Sequence, residues 1–229
     1  MVQKYRKSLI LLYFRYLQHR MNALIFLMAI SVTISAILAN GLKNAKDGEF
    51  EYVKDDNTIR VFRLVMPLSV ILGILVGVWE PWHWGFGAIP SGLGWSQLGA
   101  LLNPNSNVDL TWERLAVLLF TIGLTLRWVA ILSLKKAFTV KVTILKGHQL
   151  KSDGVYRWMR HPSYTGMYIY GLGMGLALHS LLSIALILWG VWYTTHKRIP
   201  VEEAVLESHF GNDYRAYKAR TWKLFPLIY

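Results

Sequence analysis

The apolar residues of this chain are gathered into runs about as long as a bilayer is thick, with charge pushed to their ends. A helix needs roughly 20 predominantly apolar residues to cross hydrocarbon, and it satisfies its own backbone there. Asn22 to Leu42, Val61 to Trp79 and Leu115 to Leu134 meet that length. Two shorter runs, Tyr164 to Leu178 and Leu181 to Thr195, are joined at His179-Ser180 and predict a C-terminal helical hairpin. The expected fold is an all-α integral membrane protein with about five transmembrane helices and short cytosolic helices. The uncharged, Gly- and Trp-rich stretch 81–103 is a candidate sixth or re-entrant segment. The clustering of Trp79, Trp82, Trp84 and Trp95 favours an interfacial aromatic belt there instead.

Only 17% of the 229 residues are charged, below the quarter usual in soluble domains. The net charge of +12 flanks apolar spans, so it reads as membrane orientation rather than nucleic-acid binding. Lys135, Lys136, Lys141, Lys146, Lys151, Arg157 and Arg160 fall in one connection, which places that connection in the cytoplasm. Pro81 to Leu110 has no Lys or Arg and belongs outside. The C-terminus is then cytoplasmic. Counting back through five spans puts the basic N-terminus outside, against the same rule. Either the first twenty residues lie along the interface as a basic amphipathic helix, or 81–103 enters the membrane. Lys4, Arg6, Lys7, Arg15 and Arg20 interrupt any cleavable signal. Cysteine is absent, which excludes disulfides, thiolate metal sites and thiol nucleophiles.

The polar residues with chemistry in them cluster at helix ends. Tyr156, His161 and Tyr164 bring rings and hydrogen-bonding groups to the start of an uncharged run. Pro162 suits the first turn of the helix that follows, whose backbone donors are then available to an anion. Singly, each residue is explained by solvation at the interface; the ordered set points to a site. Beyond the hairpin lie Arg198 and Glu202-Glu203. On a continuous helix Arg198 and Glu202 share a face, as an anion anchor and a partner for a cationic ligand. Alternatively, Pro200 opens a new helix whose positive end the two glutamates complement. Gly171 and Gly175 have helix-packing spacing. Arg127, inside a span, either snorkels or lines a polar cavity. His83 and His179 read as interfacial and His148 as a loop residue. No His, Asp and Glu set has metal-ligand spacing, and no Ser-His-Asp arrangement is present.

The motifs carry a resemblance. Leu150-x-Ser152-x-Gly154-Val155-Tyr156 followed by Arg160-His161-Pro162-Ser163-Tyr164-x-Gly166 resembles the core of the isoprenylcysteine carboxyl methyltransferase family, in the wider group with phospholipid methyltransferases. The tail Arg198-x-x-x-Glu202-Glu203-x-x-Leu206-x-x-x-Phe210-Gly211-x-x-Tyr214-x-x-Tyr217 is similar to that family's C-terminal signature. The resemblance covers roughly Val140 to Pro226. It divides the chain into residues 1–110, with no match, and a methyltransferase core at 111–229.

The resemblance implies an S-adenosylmethionine-dependent membrane enzyme whose lipophilic acceptor enters from the bilayer. Carried over by position, cofactor contacts fall on His148, Gln149, Leu150, Lys151, Tyr156, His161, Pro162, Ser163, Tyr164 and Glu202. Arg198 and Glu202 are the implied catalytic residues, with Arg198 holding the acceptor. A further family contact falls at Lys141, where the family has an amide side chain. The acceptor it implies is the carboxylate of an isoprenylcysteine-like substrate, with a phospholipid amine or a small thiol as alternatives. A nicotinamide-dependent reductase on the same scaffold and a non-enzymatic membrane protein are the rival classes. No metal and no nucleic acid are expected, the partners are membrane lipids and a lipophilic or prenylated substrate, and the protein is expected to be a monomer.

Overall fold

The computed structural model describes residue 28 and residues 30–33, 50–53, 58–83, 108–134, 138, 143–145, 147, 149–178 and 180–227. Side chains 50–53, 59, 78–83, 108–113, 143 and 145 lie outside the described residues, as do residues 1–20, most of the Asn22 to Leu42 span, 84–107, Lys141, His148 and His179. The expectations for those positions, including the tryptophan belt and the 81–103 segment, fall there as well.

Helix α1 runs over Thr58–His83 and α2 over Val108–Leu134. Both contain windows long and apolar enough to cross a membrane, Arg60–Gly77 and Arg114–Leu134. Only 22% and 28% of those windows are buried. A core helix of a soluble protein would be mostly covered. Here Leu64, Leu68, Leu75, Leu118 and Leu132 all face outward. Apolar faces of that extent are matched by hydrocarbon and not by water.

Helix α3 spans Pro162–Ala177 and α4 spans Leu181–Phe210. Ser180 caps α4, its hydroxyl accepting from the Ser183 backbone N–H at 3.1 Å. Helix α4 passes through Pro200 without ending. The alternative in which a new helix begins at Pro200 is therefore corrected: Arg198 and Glu202 lie one turn apart on one helix. At about 45 Å, 30 residues outrun the hydrocarbon core, so α4 carries residues on its last turns well past it. Gly211, at φ +54, takes the left-handed turn that ends α4, and the polar helix α5 follows at Asn212–Arg220.

Helix α2 packs along α3, α3 against α4, and α4 against α1. Glycines set the closest approaches. A Cβ at Gly166 would lie 2.5 Å from the Gly123 carbonyl oxygen, and one at Gly173 would lie 2.5 Å from the Phe120 nitrogen. These are backbone-to-backbone contacts that no larger residue permits. Gly171 and Gly175 pack on α4: Ile184 stands 2.6 Å from where a Cβ at Gly175 would lie, while at Gly171 the nearest atom is an Ile187 methyl at 3.3 Å. Met167, Met174, Ile187 and Val191 fill the core between these helices.

The all-α expectation needs one correction. Strands β1 (Phe50–Val53) and β2 (Thr143–Leu145) pair antiparallel, with an irregularity between Phe50 and Tyr52. Strands this short leave no alternation for sequence reading to find. The ribbon ties the approach to α1 to the exit from α2, so those two ends lie at the same end of the bundle.

Candidate active site

The turn from 154 to 164 begins at Gly154, whose φ of +56 admits a tight entry into the 3-10 turn Gly154–Arg157. Tyr156 is buried in that turn. Its hydroxyl donates to the Ala130 carbonyl on α2 at 3.2 Å, and its own carbonyl accepts from the Tyr217 hydroxyl at 2.7 Å. Burial pushes the Tyr156 hydroxyl above its ordinary range and the Tyr217 hydroxyl up to about 12, so both remain donors.

The C-terminal segment clasps the same turn. The Arg160 N–H donates to the Trp222 carbonyl at 2.8 Å, the His161 N–H to Lys223 at 3.2 Å, and the Trp222 N–H to Trp158 at 3.1 Å. The Thr165 hydroxyl donates to the Leu224 carbonyl at 2.9 Å. Trp158 and Trp222 remain exposed beside this clasp, where amphipathic rings suit a membrane interface.

Pro162 starts α3 and leaves Tyr164 facing α4. The Tyr164 hydroxyl donates to Glu202 Oε1 at 2.6 Å. Arg198 Nε donates to Glu202 Oε1 at 2.7 Å and to the Tyr164 hydroxyl oxygen at 2.9 Å. Arg198 is 5% exposed, and the Phe62 ring of α1 lies 5.8 Å from its guanidinium carbon. Burial works against the Arg198 charge, but Tyr164 and Glu202 beside it outweigh burial and hold the guanidinium protonated. The His161 ring stacks on Tyr164 with centroids 5.7 Å apart. Its Nδ1 lies 3.7 Å from Glu202 Oε2.

Next to this group sits a second one. Glu203 Oε1 accepts from Arg160 Nε at 2.9 Å and lies 3.1 Å from His161 Nε2. The Arg160 and Glu203 side chains are each 8% exposed. Arg160 also donates to the Lys218 carbonyl at 3.1 Å and to the Thr221 carbonyl. Lys218 Nζ lies 3.5 Å from Glu203 Oε2. Burial opposes ionisation of Glu203, but the hydrogen bonds from His161 and Arg160 prevail and hold its carboxyl down at about 2.

The structure thus brings His161, Tyr164, Arg198 and Glu202 together, with Pro162 buried beneath them. Ser163 faces the other way, its hydroxyl accepting from Arg127 Nη1 at 3.0 Å. That contact supersedes the choice between snorkelling and cavity lining: Arg127 reaches the first turn of α3. Gln149 and Leu150 lie on the loop after β2, Gln149 exposed, and Lys151 pairs with Asp153 at 2.7 Å. No hydrogen bond among the described residues joins that loop to the Glu202 group. His148 lies outside the described residues. Arg160, Glu203, Lys218 and Phe62 were not singled out as site residues by sequence reasoning. The first three stand in or beside the quoted motifs, whereas Phe62 carries no signal in the sequence. Among the described residues no group of His, Cys, Asp and Glu is placed to hold a metal.

These helices and this buried, ion-paired cluster define a helical membrane protein with a polar site at one end of its bundle. A sequence model of the isoprenylcysteine carboxyl methyltransferase family matches residues 116–208. A rice (Oryza sativa subsp. indica) protein described as a "probable protein-S-isoprenylcysteine O-methyltransferase" is 32% identical over 131 residues, 56% of this chain and 69% of its own. A fission-yeast (Schizosaccharomyces pombe) protein-S-isoprenylcysteine O-methyltransferase is 40% identical over 83 residues, 36% of this chain. That match spans 35% of the yeast protein's length. The solved structure of a eukaryotic intramembrane Ras methyltransferase superposes with a TM-score of 0.50 at 24% identity, covering 76% of this chain and 69% of that one. The chain belongs to the isoprenylcysteine carboxyl methyltransferase family.

Proposed function

We propose that the protein transfers a methyl group from S-adenosylmethionine to the carboxylate of an isoprenylcysteine-like acceptor at the membrane surface. The observation that carries this reading is Arg198: a buried guanidinium inside α4 that faces the first turn of α3, with its Nε committed to Glu202 and Tyr164. A guanidinium fixed by these two bonds can orient an acceptor carboxylate through one oxygen or at a distance. Glu202 also offsets part of the cation's charge. With its charge partly offset, Arg198 can orient a carboxylate without gripping both oxygens, which would stabilise the ground state at the expense of rate.

The donor set suits a cationic, polar cofactor. Glu202 supplies an anionic oxygen on the His161 side, and the stacked His161 and Tyr164 rings supply a flat wall. His161, Pro162, Ser163, Tyr164, Tyr156, Glu202 and the stretch 148–151 are the residues that would hold the cofactor, and its sulfonium supplies an already activated methyl group. A carboxylate acceptor needs no general base. The protein's task is therefore alignment and exclusion of water. Helices α3 and α4 do this by setting Tyr164 and Arg198 against each other. Residues 111–229 form the core in this reading, and α1 belongs to the same packing unit through Phe62. The ribbon, the exit from α2 and the clasped 154–164 turn share one end of the bundle. With the seven cations between 135 and 160, this supports a cytoplasmic site and C-terminus in a monomer of about five spans, α3 and α4 forming its last hairpin.

The experiment supplies tritiated S-adenosylmethionine and N-acetyl-S-farnesylcysteine to the protein in nanodiscs and measures alkali-labile methyl ester. Base-labile label in the prenylcysteine is the expected result. Label in phospholipid or thiol alone, or stabilisation by NADPH and not by S-adenosylhomocysteine, refutes it.

A further inference from the structure

We infer that Phe62 is a positioning residue for Arg198: its ring, carried in from α1, holds the buried guanidinium by attraction to the cation without neutralising it. The inference rests on the reading of Arg198 above as the residue that orients the acceptor, and it adds α1 to that residue's surroundings.

Arg198 is a costly group to bury. It is 5% exposed, and a guanidinium stays charged inside a protein. Glu202 Oε1 meets that charge at 2.7 Å from Nε, and the same oxygen also accepts from the Tyr164 hydroxyl. Nε donates to the Tyr164 hydroxyl oxygen as well, at 2.9 Å. These bonds come from α3 and from α4 itself, and all of them meet the Nε edge. The contact from α1 is of another kind. The guanidinium carbon sits over the Phe62 ring, 5.8 Å from its centroid. At that separation the negative face of the ring attracts a cation, more strongly where water is excluded. An acidic side chain in the same place would cancel the charge that an acceptor carboxylate needs. A ring adds attraction and no net charge.

The helix register brings the ring there. The Ser183 hydroxyl on α4 donates to the Gly73 carbonyl on α1 at 2.8 Å. A Cβ at Gly73 would lie 2.8 Å from Ile187 Cγ1, and one at Gly190 would collide with the Ser69 side chain. The two helices therefore run antiparallel in close contact, and a slide by one turn would set larger residues against those places. Two turns on from the Ser69 and Gly190 contact, the same register sets Phe62 beside Arg198. Phe62 also packs on the apolar core. Leucine would serve that purpose too, whereas attraction to a cation needs the electrons of the ring.

The test replaces Phe62 by phenylalanines with one, two and three ring fluorines, which withdraw π-electron density and change size little. In nanodiscs, kcat/KM for N-acetyl-S-farnesylcysteine should fall in order of fluorine count, by about twofold to thirtyfold in all. Phe62→Leu should lose about as much as the trifluorinated ring, and Phe62→Tyr should stay near the wild type. Activity that ignores fluorine count, or Phe62→Leu turning over like the wild type, overturns the inference. A second readout needs no turnover. In ligand-free protein labelled with 15N-arginine, the Arg198 Nε–H signal is assigned by its loss in Arg198→Lys. It should move in Phe62→Leu, because the field of the ring is removed; a signal that stays in place overturns the inference. If the wild type forms no methyl ester, the acceptor reading of Arg198 fails, while the Nε–H signal still decides whether Phe62 holds the guanidinium.

Discussion

Gly166→Ala is a one-carbon perturbation whose size can be worked from the helix contact it enters. The new Cβ would stand 2.5 Å from the Gly123 carbonyl oxygen and 2.8 Å from the Arg127 nitrogen, both backbone atoms. Ordinary contact begins at 3.4 Å, so α2 and α3 have to separate by about 0.9 Å. Neither atom can swing aside, because each is fixed in its helix. Overpacking of this kind costs about 1–3 kcal/mol. The displacement also falls at the first turns of α3. It should break the 3.0 Å hydrogen bond from Arg127 to Ser163 and shift Tyr164 relative to Arg198. A misplacement near 1 Å can reduce turnover about a hundredfold. The control is Gly171→Ala. There the nearest atoms are side-chain methyls of Ile187 at 3.3 Å and Val191 at 3.7 Å, which can give by a few tenths of an ångström. Thermal unfolding in detergent and methyl-ester formation in nanodiscs would both be measured. Gly166→Ala is expected to lose in both assays and Gly171→Ala in neither. If Gly166→Ala melts and turns over like the wild type, or if Gly171→Ala is the more damaging, the reasoning from backbone contact is wrong.

Further outcomes can be set beside it. Arg198→Lys keeps the charge but loses the Nε bonds to Glu202 and Tyr164; turnover at saturating acceptor should fall at least about tenfold, and an unchanged rate would refute a positioning role. Glu202→Gln should weaken S-adenosylhomocysteine binding in calorimetry; lost activity with intact binding would count against Glu202 as a cofactor ligand. Glu203 is held below its unfolded value, so it stabilises the fold above about pH 4.5. That contribution, on the order of 2–3 kcal/mol, is lost as pH falls toward about 2. An acid-unfolding series should therefore show a descent in that window that Glu203→Gln lacks. The Tyr214 hydroxyl is buried with no hydrogen bond among the described residues, so Tyr214→Phe should leave the ligand-free melting temperature unchanged or raise it; a clear drop would show a missed partner.

What could be read in advance followed from local spacing. Arg198 and Glu202 are four apart, and the ordered run from Arg160 to Gly166 opens a helix at Pro162, so their meeting required only that two neighbouring helices return to one end. Gly171 and Gly175 were legible for the same reason. Pro200 misled because a proline inside a long helix is disfavoured by its missing N–H and its ring. Yet α4 continues through it, held on both sides by packing. Long-range pairings leave no local trace. The contacts of Arg160 with Glu203 and the Thr221 carbonyl, the ribbon between 50–53 and 143–145, and the Phe62 ring over Arg198 join positions far apart in sequence. Each is settled by tertiary geometry, which single-residue preferences do not encode.

The backbone contacts between α2 and α3 also bear on how an acceptor arrives. From Ala116 and Phe120 against Gly173 to Gly123 against Gly166, the two helices touch main chain to main chain over about 10 Å of their length. No hydrocarbon tail can slide between helices in that state. That side of the bundle is a closed wall, and in the proposed reaction a prenyl group would pass by another edge on its way to Arg198. Prying α2 and α3 apart would thus open a breach in the wall without clearing the doorway.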